Sequence, residues 1–188
     1  MSAEQQQDLA ETVLAEINAV VRQVSRADIT RLAEVLAGAP RIFATGEGRS
    51  GFMAKAFAMR LMHLGLPVHV IGETTTPSVQ RGDVVVAVSG SGTTAGTVRV
   101  AQQAAASGAT VHAVTTDADS PLGAQATSVL LLPAATKHRR PGEAATIQPL
   151  SSLFDQATHV VLDVVCLQLA RNRGVDNAAA AAQHANTE

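Results

Sequence analysis

Small hydroxylated residues and glycines follow a run of β-branched residues near the middle of the chain. The segment from Ser89 to Thr94 reads Ser-Gly-Ser-Gly-Thr-Thr, after the apolar run from Asp83 to Val88 and before an alanine-rich stretch. This order predicts a buried strand, a tight loop and the first turn of a helix. Backbone N–H groups at a helix N-terminus bind anions, hydroxyls add donors, and glycine lets the backbone approach the ligand. The segment is interpreted as a phosphate-binding loop.

A second glycine-rich segment, Gly46 to Gly51, follows an earlier apolar run and precedes another helical stretch. Its sequence fits the G-x-G-x-x-G pattern of dinucleotide-binding proteins, and Glu73 stands about where a ribose contact would fall. Arg49 and Ser50, however, place a cation and a hydroxyl in this loop, whereas a dinucleotide site relies on backbone approach. We favour one phosphate ester bound between both loops, with a dinucleotide site as the alternative.

Loops that follow neighbouring strands of a parallel sheet converge at its carboxyl edge, where ligands bind. The serine and threonine hydroxyls would donate hydrogen bonds to the phosphate. Arg49 would pair with the phosphate or with a sugar oxygen. The predicted phosphate-binding residues are Gly48, Arg49, Ser50, Ser89, Gly90, Ser91, Gly92, Thr93 and Thr94.

The elements that must position these loops alternate between helices and strands. Two amphipathic helices are predicted within residues 1–40. Residues 41–132 carry five short apolar runs joined by helices or loops, which predicts a doubly wound parallel sheet. Residues 133–149 are polar and read as a long loop, and residues 150–188 contain an apolar helix and a helix-permissive tail. The expected fold is one α/β domain over residues 1–188, a three-layer αβα sandwich with a five-stranded parallel sheet.

Composition and charge narrow the classes of function. The 188 residues carry a net charge of −2, so the composition does not indicate the excess of positive charge that favours binding to nucleic acids or anionic membranes. Cys166 is the single cysteine, which excludes an internal disulfide or a cysteine-only metal site and fits a reducing cytosol. The polar N-terminus is unlike a signal peptide, and no apolar run approaches membrane-spanning length. We therefore expect a cytoplasmic protein.

Motifs along nearly the whole chain are similar to those of the sugar isomerase (SIS) domain family. The segments that carry the likeness are Gly48 to Gly51, Ala56 to Gly65, Gly72 to Pro77, Ser89 to Thr94, Asp119 to Leu122, Ser152 to Gln156 and His184 to Asn186. The Met-Arg-Leu-Met-His-Leu-Gly run and the terminal His-Ala-Asn are more specific than the two glycine loops. Within the family, the chain resembles the isomerases that interconvert D-arabino-hex-3-ulose 6-phosphate and fructose 6-phosphate.

That resemblance implies a reaction that uses no metal and no organic cofactor, within formaldehyde fixation by the ribulose monophosphate pathway. It implies hexulose-6-phosphate synthase as the functional partner and a homotetramer whose subunits share their sites. Asp155 corresponds to the carboxylate base that moves a proton between C2 and C3 through an enediol. His184 corresponds to an acid–base group or enediol stabiliser that reaches a neighbouring subunit.

The chain departs from the family pattern at the predicted base and in the tail. Asp155 stands where glutamate is usual and is one methylene shorter, in a reaction where a misplacement of about 1 Å can cost ~100-fold. The tail reads His-Ala-Asn-Thr-Glu where leucine is usual before glutamate, which weakens an apolar anchor. The alternatives are a non-catalytic sugar-phosphate-binding domain and an isomerase of another phosphosugar.

Overall fold

A computed structural model describes residues 3–186, with the side chains of residues 8–186. Residues 187 and 188 of the predicted tail motif lie outside the described residues. The elements in chain order are α1 (Ala3–Gln23), α2 (Arg26–Gly38), β1 (Ile42–Gly46), α3 (Gly48–His63), β2 (Val68–Val70), β3 (Val84–Val88), α4 (Ala95–Ala106), β4 (Thr110–Thr115), β5 (Ser128–Leu131), α5 (Ser152–Arg173) and α6 (Asn177–Ala182).

The strands form one five-stranded parallel sheet in the order β2-β1-β3-β4-β5. β1 and β3 are neighbours, paired from Ile42 opposite Val84 to Gly46 opposite Val88, so the two strands end at the same level. The glycine loops that follow them therefore lie side by side at the carboxyl edge. The predicted α/β fold with a five-stranded parallel sheet is confirmed.

Side chains of β3 alternate between two apolar cores, one on each face of the sheet. Val84, Val86 and Val88 belong to the core that α1, α2, α3 and α5 cover. Val85 and Ala87 belong to the opposite core, which α4 covers. This alternation is the two-residue period of a strand, and burial of both faces explains the continuous apolar run in the sequence. Helices on both faces give the predicted three layers.

Two short segments can be compared with the predicted elements: one strand is shorter than predicted, and one predicted turn is present. β2 is shorter than the strand that the apolar run 67–71 predicts, because the backbone turns at Gly72, whose φ is 100°. The segment beginning at Asp117, predicted as a short helix or turn, is a turn in which the Asp119 N–H donates to Asp117 Oδ1 at 2.9 Å. A single 3₁₀ turn follows at Gly123–Gln125.

The long helix α5 packs against α1, α2 and α3 and belongs to the larger core. Contrary to the expectation that no apolar run approaches membrane-spanning length, α5 is long and apolar enough to span a membrane. However, 56% of its most apolar window is buried inside the protein, as in the core helix of a globular domain. It begins after the irregular segment 133–149, which is the predicted long loop, and ends at Gly174, whose φ of 65° is typical of a helix stop. Its first turn carries Asp155 to the carboxyl edge of the sheet.

Candidate active site

The two glycine loops and the first turn of α5 line one cleft of about 290 Å³. The lining residues are Glu47, Arg49, Ser50, Gly90, Ser91, Thr94, Lys137, Leu150, Ser151 and Asp155. The cleft thus joins residues predicted to bind phosphate with the predicted base. A cavity of about 360 Å³ between α3, α5 and α6 is larger, but its lining includes none of the predicted site residues.

Hydrogen bonds between its own hydroxyls hold the loop from Ser89 to Thr94. Ser89 Oγ and Thr94 Oγ1 lie 2.9 Å apart, and Thr93 Oγ1 donates to Ser91 Oγ at 2.9 Å. Thr94 is the N-cap of α4, yet its side chain makes no capping hydrogen bond within the described chain. The first N–H groups of α4 therefore receive no cap from Thr94, which lines the cleft, and uncapped N–H groups are what an anion site requires.

Two glycines of this loop are fixed by close neighbours. Gly92 has a φ of 64°, and a Cβ added there would overlap the side chain of Ser120. Gly90 lies against the ring of Phe154, so a Cβ there would meet a ring carbon at 2.9 Å. Because Phe154 precedes Asp155, the contact at Gly90 lets the phosphate loop and the first turn of α5 approach each other closely.

Asp155 is the most buried charged group of the cleft, with 2% of its surface exposed. Ser50 Oγ donates to Oδ1 at 2.9 Å, and Arg49 Nε donates to Oδ2 at 3.3 Å. Burial raises the pKa of the Asp155 carboxyl above its ordinary value, although the bonds from Ser50 and Arg49 oppose this rise. A carboxylate with a raised pKa accepts a proton more readily than an ordinary aspartate.

Arg49 and Ser50, which are predicted to bind phosphate, both contact the predicted base in this structure. Their role as phosphate ligands stays a prediction. Both belong to the first turn of α3, which begins at Gly48 with a φ of 58°. Glu73, the acidic residue of the dinucleotide alternative, pairs with Lys55 at 2.9 Å on the outside of α3.

Sequence reasoning did not single out Glu47, which also lines the cleft. Its carboxylate lies on the first turn of α4, where a Cβ added at Gly96 would overlap it. A carboxylate is favourable at a helix N-terminus, which explains this position. The only signal in the sequence was its place between the glycines of the first loop.

His184 lies far from the cleft of its own chain. Its ring stacks on that of His63, with centroids 5.2 Å apart and an angle of 17° between the planes. His63 is the last residue of α3 and Ser50 is in its first turn, so about 20 Å of helix separates them. Burial lowers the pKa of His63, and the nearby Arg60 and His184 lower it further. One chain alone does not bring the two predicted catalytic residues together.

One cleft is thus lined by the predicted phosphate loop, by the buried carboxylate of Asp155 and by two cations, Arg49 and Lys137. Such an arrangement suits proton transfer on a small phosphorylated molecule. Among the side chains of residues 8–186, no cluster of histidine, cysteine, aspartate and glutamate is placed to hold a metal ion.

Comparisons with known proteins agree in family and in fold. Residues 35–160 match the SIS domain family. The chain is 38% identical to a 3-hexulose-6-phosphate isomerase of Bacillus subtilis, over 94% of this chain and 95% of that protein. It is 40% identical to a 3-hexulose-6-phosphate isomerase of Mycobacterium gastri, over 92% of this chain and 86% of that protein. The crystal structure of a hypothetical protein matches with a TM-score of 0.88 and 32% identity, over 97% of each chain.

Proposed function

The chain belongs to the SIS domain family and is a phosphosugar isomerase, and within that class we propose that it interconverts D-arabino-hex-3-ulose 6-phosphate and fructose 6-phosphate. The observation that carries the proposal is the buried carboxylate of Asp155 in the same cleft as the hydroxyl-rich loop. The names of the relatives from Bacillus subtilis and Mycobacterium gastri support the same substrate.

The phosphate would bind at the N-terminus of α4. Its oxygens would accept hydrogen bonds from the first backbone N–H groups of the helix and from the hydroxyls of Ser89, Ser91 and Thr94. The hydroxyl bonds that close this loop in the structure would be exchanged for bonds to the phosphate. With the phosphate bound there, the C2 and C3 atoms of the sugar would lie near Asp155.

Asp155 would act as the base between the two carbons. In the direction toward fructose 6-phosphate, its carboxylate takes the proton from C2, and the electron pair forms a C2–C3 double bond while O3 becomes protonated. O2 then loses its proton, the C2 carbonyl forms, and C3 receives a proton from Asp155. The reaction moves hydrogen within one molecule and needs no oxidant or reductant.

Arg49 and Ser50 would hold the carboxylate of Asp155 in place during these transfers. Their bonds to the two carboxylate oxygens limit rotation of a side chain that is one methylene shorter than glutamate. The close contact between Gly90 and Phe154 also draws the first turn of α5 toward the substrate. Both features would compensate for the shorter side chain.

We further propose a homotetramer in which His184 serves the site of a neighbouring subunit. Exposed apolar residues seven positions apart support association, because they place Phe52 with Met59 on α3 and Val160 with Leu167 on α5 along single helix faces. His184 would then move protons at the sugar oxygens. The functional partner would be hexulose-6-phosphate synthase, in cytoplasmic formaldehyde fixation.

The central experiment supplies the purified protein with enzymatically generated hex-3-ulose 6-phosphate and follows the formation of fructose 6-phosphate. We expect turnover in the wild type, and Asp155→Asn is expected to abolish it while binding of the sugar phosphate persists. Asp163→Asn, farther along α5, is the matched control. Binding without turnover in the wild type would contradict the proposal and favour a sugar-phosphate-binding domain. Turnover of a different phosphosugar, without turnover of hex-3-ulose 6-phosphate, would refute the proposed substrate assignment.

A mixing experiment tests the shared site. Asp155→Asn and His184→Asn should each be inactive alone, and their co-expression should restore part of the activity, because some sites then combine an intact Asp155 with an intact His184. Failure of the mixture to exceed either variant, in assemblies shown to contain both chains, would refute the role of the neighbouring His184.

A further inference from the structure

The two cations of the cleft differ in whether a carboxylate binds them. Glu47 and Asp155 are its carboxylates, and Arg49 and Lys137 are its cations. Arg49 is bound to Asp155 at 3.3 Å, whereas no carboxylate among the described side chains lies within ion-pairing distance of Lys137. A phosphate entering this cleft would meet two carboxylates and one cation that is free to bind it.

We propose that Lys137 binds the phosphate of the substrate and that Glu16, on α1, is the residue that positions it. This inference rests on the proposed function for the identity of the ligand. It assigns a role to the segment from Thr136 to Leu150, hereafter the clamp loop, whose sequence indicated only a polar loop. The ammonium of a lysine is a common ligand of phosphate oxygens.

The backbone around Lys137 is held on both sides. The Lys137 N–H donates to Ser151 Oγ at 3.0 Å, which ties this residue to the start of α5. The preceding Thr136 is buried, and its N–H and hydroxyl donate to the two carboxylate oxygens of Glu143 at 2.8 and 2.6 Å. Lys137 thus has an exposed side chain on a fixed backbone beside Asp155.

Arg139 closes the clamp loop on itself. Its guanidinium donates to the carbonyl oxygens of Thr136 at 2.6 Å, Gln148 at 2.5 Å and Leu150 at 2.9 Å. Arg139 and Leu150 both have positive φ, 47° and 54°, in a region that side chains other than glycine seldom adopt. The clamp loop has no regular backbone hydrogen bonds of a helix or a sheet, and the Arg139 guanidinium instead binds its carbonyl groups. It thereby fixes the two ends of the loop, which face the cleft.

Glu16 fastens the closed loop to the helical layer. Its carboxylate accepts from Thr146 Oγ1 at 2.6 Å, from the Ile147 N–H at 2.8 Å and from Gln148 Nε2 at 3.0 Å. Partial burial alone would raise the pKa of Glu16, but these hydrogen bonds and the charge of Arg139 lower it overall. The carboxylate is the charged acceptor that these donors require, on a helix that packs against α5.

The first test compares lysine variants by calorimetric binding of fructose 6-phosphate and by competitive inhibition with inorganic phosphate. In Lys137→Ala, the Kd for fructose 6-phosphate and the Ki for phosphate should both rise about 10-fold, as expected for one lost bond between charged groups. Lys137→Arg should recover most of this loss. Lys55→Ala removes the other lysine of the chain and should leave both constants unchanged.

The second test asks whether Glu16 acts through Lys137. Glu16→Gln, and separately Thr146→Val, should raise KM for the substrate about 3-fold with little change in kcat. Glu16→Gln should add nothing when Lys137 is already alanine, because residues that act as one unit are not additive. Glu11→Gln, an exposed glutamate on the same helix, is the control for loss of charge on α1.

An unchanged Ki for phosphate in Lys137→Ala would overturn the proposal, as would full additivity of the Glu16→Gln and Lys137→Ala effects. Neither result would touch the isomerase activity itself. The calorimetric titration needs no turnover, so it tests Lys137 even if the wild type proves inactive on hex-3-ulose 6-phosphate, which would contradict only the proposed reaction.

Discussion

Removing the hydroxyl of Ser50 is expected to change the pH dependence of the reaction. That hydroxyl donates to Oδ1 of Asp155 at 2.9 Å, and the carboxyl must be ionised to accept a proton from carbon. Burial raises the pKa of Asp155, and the hydrogen bonds from Ser50 and Arg49 oppose the rise. Ser50→Ala removes one of the opposing bonds, so the pKa of Asp155 should rise further and the acid limb of the profile should move to higher pH.

The size of the effect follows from the kind of bond that is lost. A hydrogen bond to a charged group contributes about 1.5–3 kcal/mol, and Asp155 is buried, so solvent compensates little for its loss. This free energy changes the ratio of ionised to protonated carboxyl by roughly 10- to 100-fold. On the acid side of the profile, kcat/KM should fall by at least about 10-fold, whereas well above the pKa the loss from this cause should vanish.

The assay measures kcat/KM for fructose 6-phosphate formation between about pH 4 and pH 9. Ser107→Ala is the control, because that exposed hydroxyl donates only to the Gln103 carbonyl at the end of α4. A Ser50→Ala profile whose acid limb stays in place while KM rises would refute the reasoning. It would mean that Ser50 binds phosphate and does not adjust the proton affinity of Asp155.

Three further predictions concern stability and reactivity. The pKa of Asp155 is higher in the folded than in the unfolded protein, so its protonated carboxyl favours folding below about pH 4. This contribution is lost as pH rises through the folded pKa, because the buried group then carries a charge. Asp155→Asn should therefore raise Tm by roughly 2–4 °C at neutral pH and much less in acid. Gly51→Ala should lower the free energy of unfolding by about 1–3 kcal/mol in urea titrations, since its Cβ would meet a backbone oxygen of β1 at 2.7 Å. Gly96→Ala displaces only the flexible end of Glu47 and should add about 0.5–1 kcal/mol; an equal loss in both variants would refute the distinction. Burial raises the pKa of Cys166 to about 12, so thiol reagents at about pH 8 should label it only after unfolding, and rapid labelling of the folded protein would contradict this.

The parts of the fold that sequence predicted are those that local pattern determines. The five apolar residues of β3 and the glycines after it specify a buried strand and a tight loop without reference to distant residues. The adjacency of β1 and β3 is one arrangement that the rules for doubly wound parallel sheets allow, and the structure has that arrangement. The ends of α2, α3 and α4 could be predicted because Gly38, Gly65 and Gly108 stand near them. The start of α1 at Ala3 could not, since the apolar pattern begins only at Leu9.

Contacts between distant parts of the chain could not be predicted in this way. The sequence predicts Arg49 as a partner of the phosphate or of a sugar oxygen, and nothing in it indicates the bond to Asp155, 106 positions away. Glu16 and Thr146 are 130 positions apart, and nothing in either neighbourhood indicates that they meet. Polarity correctly predicted an irregular segment before α5, but the order in the clamp loop comes from Glu16, Arg139 and Glu143 binding its backbone, and composition does not encode such pairings.

The length of α3 affects how enzyme activity depends on the concentration of the protein in a cell. About 20 Å of helix separates Ser50, which binds Asp155, from His63, on which His184 stacks. If Asp155 and His184 serve one reaction, an isolated chain contains no complete site, because it gives Asp155 to one site and His184 to another. The rate then depends on the concentration of assembled oligomers rather than on the number of chains. Near the dissociation constant of the assembly, halving the protein concentration then lowers the rate by more than half. Expression level would control flux more steeply than in proportion.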